Sequence, residues 1–262
     1  MLVVATFLVN SAFNLALGLL VARFLGPQGF GQYAVAAALG VALNVLFLDW
    51  IRLAATRFYS ADTRRDDPAV RGTLDAIFIL SSLGVALTGG LALYSGLDFG
   101  LTVALAASAP AMGILNGLYD YHTALLRARF EDRSYALVVL AKNALSLTLM
   151  VGGAWWFGSP EAVAAGFVLS LAATLVLGRR RFVDSGVSIL KPDWAAARRY
   201  FTYGFPVIAA ALIYNLIPLW NRTAIADGLG FAASGHYSLA YDLSAKLVQT
   251  VGSALDILLF QI

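Results

Sequence analysis

Leu2-Val-Val-Ala-Thr-Phe-Leu-Val-Asn-Ser-Ala-Phe-Asn-Leu-Ala-Leu-Gly-Leu-Leu-Val-Ala22 carries no charged residue from end to end. A helix needs about 20 mainly apolar residues to cross the hydrocarbon core of a membrane, and this run supplies them. It has neither a basic start nor an A-x-A-like cleavage site, which argues against a secretory signal. A break at Gly26–Phe30 follows, and then a second apolar run. The same reading gives eight segments, at 2–22, 31–53, 73–95, 100–126, 135–157, 161–178, 203–224 and 236–260. Composition agrees: of 262 residues, 60% are hydrophobic and 13% charged, with mean hydropathy +0.77. A soluble domain has about 45–50% and about 25%. A soluble globule and a disordered tail are excluded. The long unbroken runs also exclude the alternating pattern of a β-barrel. The expected fold class is an all-α integral membrane protein of about eight transmembrane helices.

The basic residues sort by connection. Arg52, Arg57, Arg64, Arg65 and Arg71 follow the second segment, and Arg127, Arg129 and Arg133 the fourth. Arg179, Arg180, Arg181, Lys191, Arg198 and Arg199 follow the sixth, which makes 14 of the 18 Lys and Arg residues. The alternate connections hold only Arg23 and Arg222 at their edges. By the positive-inside rule the N-terminus and the basic connections face the cytoplasm. The net charge of +3 and pI near 9.2 therefore report topology rather than nucleic-acid binding, since no basic-aromatic stripe lies outside these loops. The opposite connections, Gly26–Phe30, Ser95–Phe99, Phe157–Glu161 and Ala226–Gly235, are too short for an extramembrane catalytic domain. With no cysteine there is no disulfide or thiolate site. His122 and His236 lie in separate segments without metal-ligand spacing, so no metal or cofactor is expected.

The longest polar stretch, Gly178–Lys191, divides the chain. Six segments, in residues 1–178, precede it, 179–202 is a cytoplasmic linker with an interfacial helix, and the last two segments lie in 203–262. In the linker, Trp194, Ala197 and Phe201 share one face, either of a helix lying at the interface or of an extension of the seventh span. Arg179–Arg181 is placed against anionic headgroups. Asp256–Ile262 ends without a polar flank, which reads as a truncated product or fragment.

Two stretches are alike. Arg23-Phe-Leu-Gly26-Pro-Gln-Gly-Phe-Gly31-Gln-Tyr33 joins the first two segments, and Asp227-Gly-Leu-Gly230-Phe-Ala-Ala-Ser-Gly235-His-Tyr237 joins the last two. Each is a Gly-rich turn followed by Gly-x-Tyr. Six helices separate them, so both copies run in the same direction, as in transporters with parallel repeats. The first stretch resembles the opening signature of bacterial polysaccharide flippases. These are the O-antigen and exopolysaccharide exporters of the multidrug/oligosaccharidyl-lipid/polysaccharide superfamily. Tyr203-Gly-Phe-Pro206, Gly235-His-Tyr-Ser238 and Ala240-Tyr-Asp242 are similar to the family's second-lobe opening. Members usually have twelve to fourteen helices in two six-helix lobes; this sequence stops in the eighth, so the resemblance implies that 1–178 is a six-helix lobe and 203–262 the first two helices of an incomplete second lobe.

Polar residues inside the segments are the candidate site, because a charge at the bilayer centre costs about 2.5–3.5 kcal/mol and needs a partner or water. Asn10 and Asn14 share a face of the first helix. They either bond helix to helix or wall a cavity that meets sugar hydroxyls. Asn116, Asp120, Thr123 and Arg127 form one stripe on the fourth helix, while the fifth carries Lys142, Asn143 and Ser146. Asp120 and Lys142 lie equally far from the intervening turn and are read as an ion pair, or Lys142 meets an anionic substrate. Asp242 and Lys246 are four apart in the eighth helix, with Gln249 and Ser253 continuing the stripe. Pro206 and Pro218 kink the seventh helix, with Asn215 and Arg222 between and beyond them. Asp49 and Arg52 read as an interfacial pair.

The resemblance implies a flippase for undecaprenyl-diphosphate-linked oligosaccharide in the bacterial inner membrane, working by alternating access for surface polysaccharide or lipopolysaccharide synthesis. In that reading Lys142, Lys246 and Arg222 attract the diphosphate and Asn10, Asn14 and Asn116 contact sugar. Asp120 and Asp242 are the ion-coupling carboxylates. It is not an enzyme, and its partners are the lipid-linked oligosaccharide, membrane lipid and a missing second-lobe polypeptide. The alternatives are a multidrug exporter of the same superfamily, a membrane-embedded glycan polymerase or ligase, and a non-transporting fragment or partner subunit.

Overall fold

The computed structural model describes the backbone of residues 2–97 and 99–259, and side chains at Thr6 and over 9–97 and 99–248. The expected side chains Gln249 and Ser253 and the segment Asp256–Ile262 lie outside what is described. Among the described residues there are nine helices and no strands. They are α1 Leu2–Phe47, α2 Asp49–Phe58, α3 Ala61–Asp66, α4 Pro68–Tyr94, α5 Val103–Ala128, α6 Asp132–Phe157, α7 Pro160–Phe182, α8 Trp194–Leu229 and α9 Phe231–Leu259. The chain is an all-α membrane protein. Among the described residues, five stretches are long and apolar enough to cross a membrane: Val9–Phe47, Pro68–Tyr94, Asp132–Phe157, Pro160–Phe182 and Trp194–Leu229.

The first two segments are joined more tightly than the sequence implied. No five-residue loop separates them; α1 is interrupted at Gly26 alone, with φ 69° and ψ 173°. A side chain resists that left-handed φ, and Pro27 both extends the residue before it and starts the next helix without a lost hydrogen bond. At about 1.5 Å per residue, 46 helical residues would run twice the thickness of the hydrocarbon core. The break resolves this into two arms, whose Leu17 and Val21 join Phe30 and Tyr33 in one packed cluster. The same device recurs at Gly230, with φ 86° and ψ 164°, between α8 and α9.

These two breaks occupy corresponding places in the sequence repeat, and the copies pack on each other reciprocally. A Cβ on Gly31 would lie 2.0 Å from the Phe231 carbonyl oxygen, and one on Gly235 would lie 1.9 Å from that of Pro27. Pro27 and Gly31 hold the positions in the first copy that Phe231 and Gly235 hold in the second. Each glycine therefore meets its counterpart's neighbour, which is the contact pattern of a local twofold axis.

The basic connections meet at one end of the bundle. Asp184, after α7, pairs with Arg64 at 2.7 Å, Arg129 at 2.8 Å and Arg71 at 3.5 Å. Tyr59 donates its hydroxyl to the same carboxylate, and Arg129 also donates to the Arg181 carbonyl at 3.2 Å. Burial first, and then the bond to Asp184, push the Tyr59 phenol up to about 12. At the opposite end Thr102 donates to Glu161 at 2.7 Å. Three connections of like charge thus share one end, as alternating spans require.

The separate interfacial helix is absent. Residues 194–202 are the first turns of α8, capped by Asp193, which accepts from the amides of Ala195 and Ala196. Ala196, Ala197, Tyr200 and Ile208 are buried in a core with Trp50, Ile51, Ala54, Leu74 and Tyr121. The base of α8 therefore belongs to the same packing unit as α2, α4 and α5.

Candidate functional site

Close helix packing builds the site. Gly113 and Gly117, four apart on α5, let that helix approach α1. A Cβ on Gly113 would meet the Gly40 carbonyl oxygen at 2.7 Å, and one on Gly117 the Asn44 Oδ1 at 2.6 Å. Small residues permit such approach where no hydrophobic effect drives helices together. The approach sets the Asn116–Asp120 face of α5 beside Asn44.

A cleft of about 400 Å³ opens there, lined by α1, α2, α5 and α8. All four residues of the predicted α5 stripe, Asn116, Asp120, Thr123 and Arg127, line it. Asn116 donates to Asp120 at 2.9 Å. Across from them stand Asn44, Asp49, Arg52 and Asn215. Arg52 donates to Asp49, and Asn215 is turned to its own helix at the Ala211 carbonyl. Asn44 Oδ1 is buried without a hydrogen-bond partner.

The anticipated Asp120–Lys142 ion pair is replaced by other contacts. Asp120 takes Asn116, while Lys142 donates to Asn143 at 3.3 Å and sits 5.9 Å from the Tyr119 ring centre. The depth inference holds, because Lys142 is level with Tyr119. The azimuth differs, since successive residues point about 100° apart around a helix. Asp120 still acts on Lys142 electrostatically, together with Lys246 from α9. Arg52, Asp49, Lys142 and Arg127 in turn act on Asp120. The cleft lining balances Arg52 and Arg127 against Asp49 and Asp120, and Lys142 and Lys246 stand beside it, with Asp242 acting on Lys246.

Arg222 and Asp242 lie elsewhere and are joined to each other. The Arg222 guanidinium pairs with Asp242 and donates to the Ala34 carbonyl at 3.3 Å, tying α8 to α9 and to α1. Asp242 also acts electrostatically on Lys246, four residues on in α9. Asn10 and Asn14 are also apart from the cleft: Asn14 donates to the Asn10 backbone and side-chain oxygens at 2.8 and 3.1 Å.

The sequence family described as "Polysaccharide biosynthesis protein" matches residues 3–258. The chain belongs to that family. No curated protein sequence matches it. Among solved structures, one similar fold is the inward-facing conformation of a multidrug resistance MATE family transporter of the MOP superfamily. Its TM-score is 0.56 at 18% identity, covering 92% of this chain and 59% of that one. A second is MATE in complex with Br-NRF, at TM-score 0.50 and 18% identity, covering 98% of this chain and 71% of that one. The chain thus spans less than two thirds of the first structure, and at this identity the likeness is one of fold.

For this polysaccharide biosynthesis family member, sequence reasoning missed Asn44 and Asn215 as cleft residues, and it read Asp49 and Arg52 only as interfacial. Asn44 and Asn215 are each flanked by hydrophobic residues, and Asp49 and Arg52 sit at the edge of an apolar run, whereas Arg127 had the stripe as its signal. Asp184 had no local signal, because its partners lie far away in the chain.

Proposed function

We propose that this family member translocates undecaprenyl-diphosphate-linked oligosaccharide across the bacterial inner membrane by alternating access, serving surface polysaccharide or lipopolysaccharide synthesis. The observation that carries this reading is the pair of lysines, Lys142 of α6 and Lys246 of α9, which act on each other beside a cleft whose own arginines and carboxylates balance. A diphosphate offers several anionic oxygens to such a pair, and charge-assisted bonds to them are strong. Lys142 and Lys246 hold the diphosphate, joined by Arg52 and Arg127. Asn116, with Asn44, meets sugar hydroxyls, while Asn10 and Asn14 extend the polar wall on α1. Asp120 is the ion-coupling carboxylate of the cleft. Asp242 and Arg222 take part by exchanging their mutual bond for substrate or ion when α8 and α9 move. The N-terminus and the Asp184 end face the cytoplasm. A second-lobe polypeptide is the proposed partner along α8, the least buried of the five apolar stretches among the described residues.

Multidrug export is the second reading, favoured by Asp120 in the cleft, since a cationic drug needs a carboxylate. In cells whose glycan export depends on this protein, Lys246→Ala is expected to reduce surface glycan at unchanged protein level, and Lys246→Arg to restore it. Unchanged glycan with Lys246→Ala would reject Lys246 as a phosphate contact. Loss of drug tolerance with Asp120→Asn and intact glycan would favour the second reading.

A further inference from the structure

A second cavity, of about 360 Å³, lies at the arginine-rich end on the far side of α5 from the cleft. Its walls are Arg71 and Asp75 of α4, Leu118 and His122 of α5, and Leu175, Arg179 and Phe182 of α7. Asp184 and Val187 of the following linker also line it. The acceptors here are mostly engaged, Asp184 Oδ1 being the one buried without a hydrogen bond. Asp75 accepts Arg71 Nε at 2.8 and 2.9 Å and the Tyr121 hydroxyl at 2.7 Å, and Asp184 is held by three guanidiniums.

The donors are not. Arg71, 5% exposed, keeps its buried Nη1 without a hydrogen bond, 3.5 Å from Asp184. His122 stacks on Phe182 at 4.4 Å with its buried Nδ1 also unpartnered. Arg179 makes no ion pair among the described residues. A buried polar atom without a hydrogen bond is costly; Arg71 Nη1, and His122 Nδ1 in the tautomer that donates from it, are two such atoms that an anion satisfies, with the exposed Arg179 at the rim. The charge count agrees. The lining balances Arg71 and Arg179 against Asp75 and Asp184, and the surrounding Arg64 and Arg129, both paired to Asp184, exceed Glu131 by one positive charge.

We propose that this cavity binds the phosphodiester headgroup of a membrane phospholipid. One phosphodiester monoanion balances the surplus and supplies acceptors for Arg71 Nη1 and Arg179, with His122 bonding a headgroup oxygen. Leu118, Leu175 and Phe182 supply apolar wall for the acyl chains. Exposed Leu80 and Leu83 on α4 and Val176 and Leu177 on α7 extend apolar surface from the same helices. Basic pockets between helices near the cytoplasmic leaflet are suited to anionic headgroups. A lipid seated there would brace α4, α5 and α7 against the linker that leads to α8. The proposal is independent of the transported substrate.

The test uses the purified chain in detergent, with bound lipid counted by native mass spectrometry. The probes are dioleoyl phosphatidylglycerol, dioleoylglycerol without the phosphate, and inorganic phosphate without the chains. Phosphatidylglycerol is expected to bind in preference to both others. Arg179→Ala should weaken it about fivefold, the factor for ~1 kcal/mol per basic side chain near a membrane surface. Arg180→Ala, an exposed neighbour that does not line the cavity, should leave it unchanged. Unfolding temperature without lipid should be equal in both variants, which separates binding from folding. Equal weakening by both substitutions would overturn the proposal in favour of a diffuse basic surface. Equal binding of dioleoylglycerol would overturn the phosphate contact, and equal protection by inorganic phosphate would overturn the lipid.

Discussion

Gly31→Ala and Gly235→Ala test the reciprocal contact between the repeats. The new Cβ of Gly31→Ala would sit 2.0 Å from the Phe231 carbonyl oxygen and 3.0 Å from the Gly235 nitrogen. That of Gly235→Ala would sit 1.9 Å from the Pro27 carbonyl oxygen. Ordinary contact begins near 3.4 Å, so the α1 and α9 backbones must part by about 1.4 Å. The obstructing atoms are backbone, so no rotamer change relieves them. Overpacking of this kind costs about 1–3 kcal/mol, against which alanine returns ~1 kcal/mol of helix propensity over glycine. We expect each substitution to destabilise by roughly 1–2 kcal/mol, read as a lower unfolding temperature in detergent. Gly18→Ala and Gly228→Ala are the controls, because nothing lies within 4 Å of the added Cβ and neither has a positive φ. They should be neutral or stabilising. Both test substitutions push the same pair of backbones apart, so the second meets room that the first has made. The double substitution should therefore fall short of additivity by at least ~0.5 kcal/mol. If Gly31→Ala is no worse than Gly18→Ala, or the pair adds strictly, the reciprocal contact does not hold the repeats together.

Asp184→Asn removes the carboxylate from three guanidiniums, two of them well buried, and should destabilise by about 3 kcal/mol; an unchanged unfolding temperature would contradict the hub. The Tyr59 phenol, held at about 12 in the fold, keeps its proton where the unfolded chain has lost it above about 10. Stability should accordingly fall as pH rises through that window and be indifferent to it at neutral pH. Tyr59→Phe should flatten that slope in alkaline unfolding curves, and an unaltered slope would refute it. Gly26→Ala places a side chain at φ 69° and should lower stability by ~1–2 kcal/mol, measured by the same unfolding assay.

Much of the fold was legible because a membrane span is a local property. Hydrophobic runs marked the helices, though not their starts: α4 and α7 begin at Pro68 and Pro160, ahead of the apolar runs at 73 and 161. The length of the turns was not legible. Gly26 and Gly230 each reverse the path in one residue because a positive φ with an extended ψ leaves both flanks helical. Composition predicted loops of several residues there. Charge placement was legible as sidedness but not as pairing. Arg64, Arg71 and Arg129 look like ordinary basic loop residues, yet all three converge on Asp184 from distant parts of the chain. In the cleft the periodicity of α5 put Asn116, Asp120, Thr123 and Arg127 on one face. What it could not give was the rotation of α6 relative to α5, and that rotation decides whether Lys142 meets Asp120 or Tyr119.

The repeat also tells which charges the fold itself requires. With Gly26 matched to Gly230, Gly31 to Gly235 and Tyr33 to Tyr237, the constant offset matches Gly18 to Arg222, Ala38 to Asp242 and Ala42 to Lys246. The first copy makes the same break and the same contact with small apolar residues at all three places. The ionic groups of α8 and α9 are therefore additions to one side of a twofold scaffold, not a condition for building it. Arg222 has acquired structural work, since its guanidinium reaches both Asp242 and the Ala34 carbonyl of the first copy. Arg222→Ala should lower stability, because it leaves that carbonyl and the Asp242 carboxylate unmatched. Lys246→Ala installs the residue that the first copy already carries at Ala42. Its helix is expected to stand unchanged, so a drop in glycan export would report the missing charge rather than a damaged fold. If Lys246→Ala instead lowered the unfolding temperature as much as Arg222→Ala, Lys246 would be a structural residue and the diphosphate role would pass to Lys142, Arg52 and Arg127.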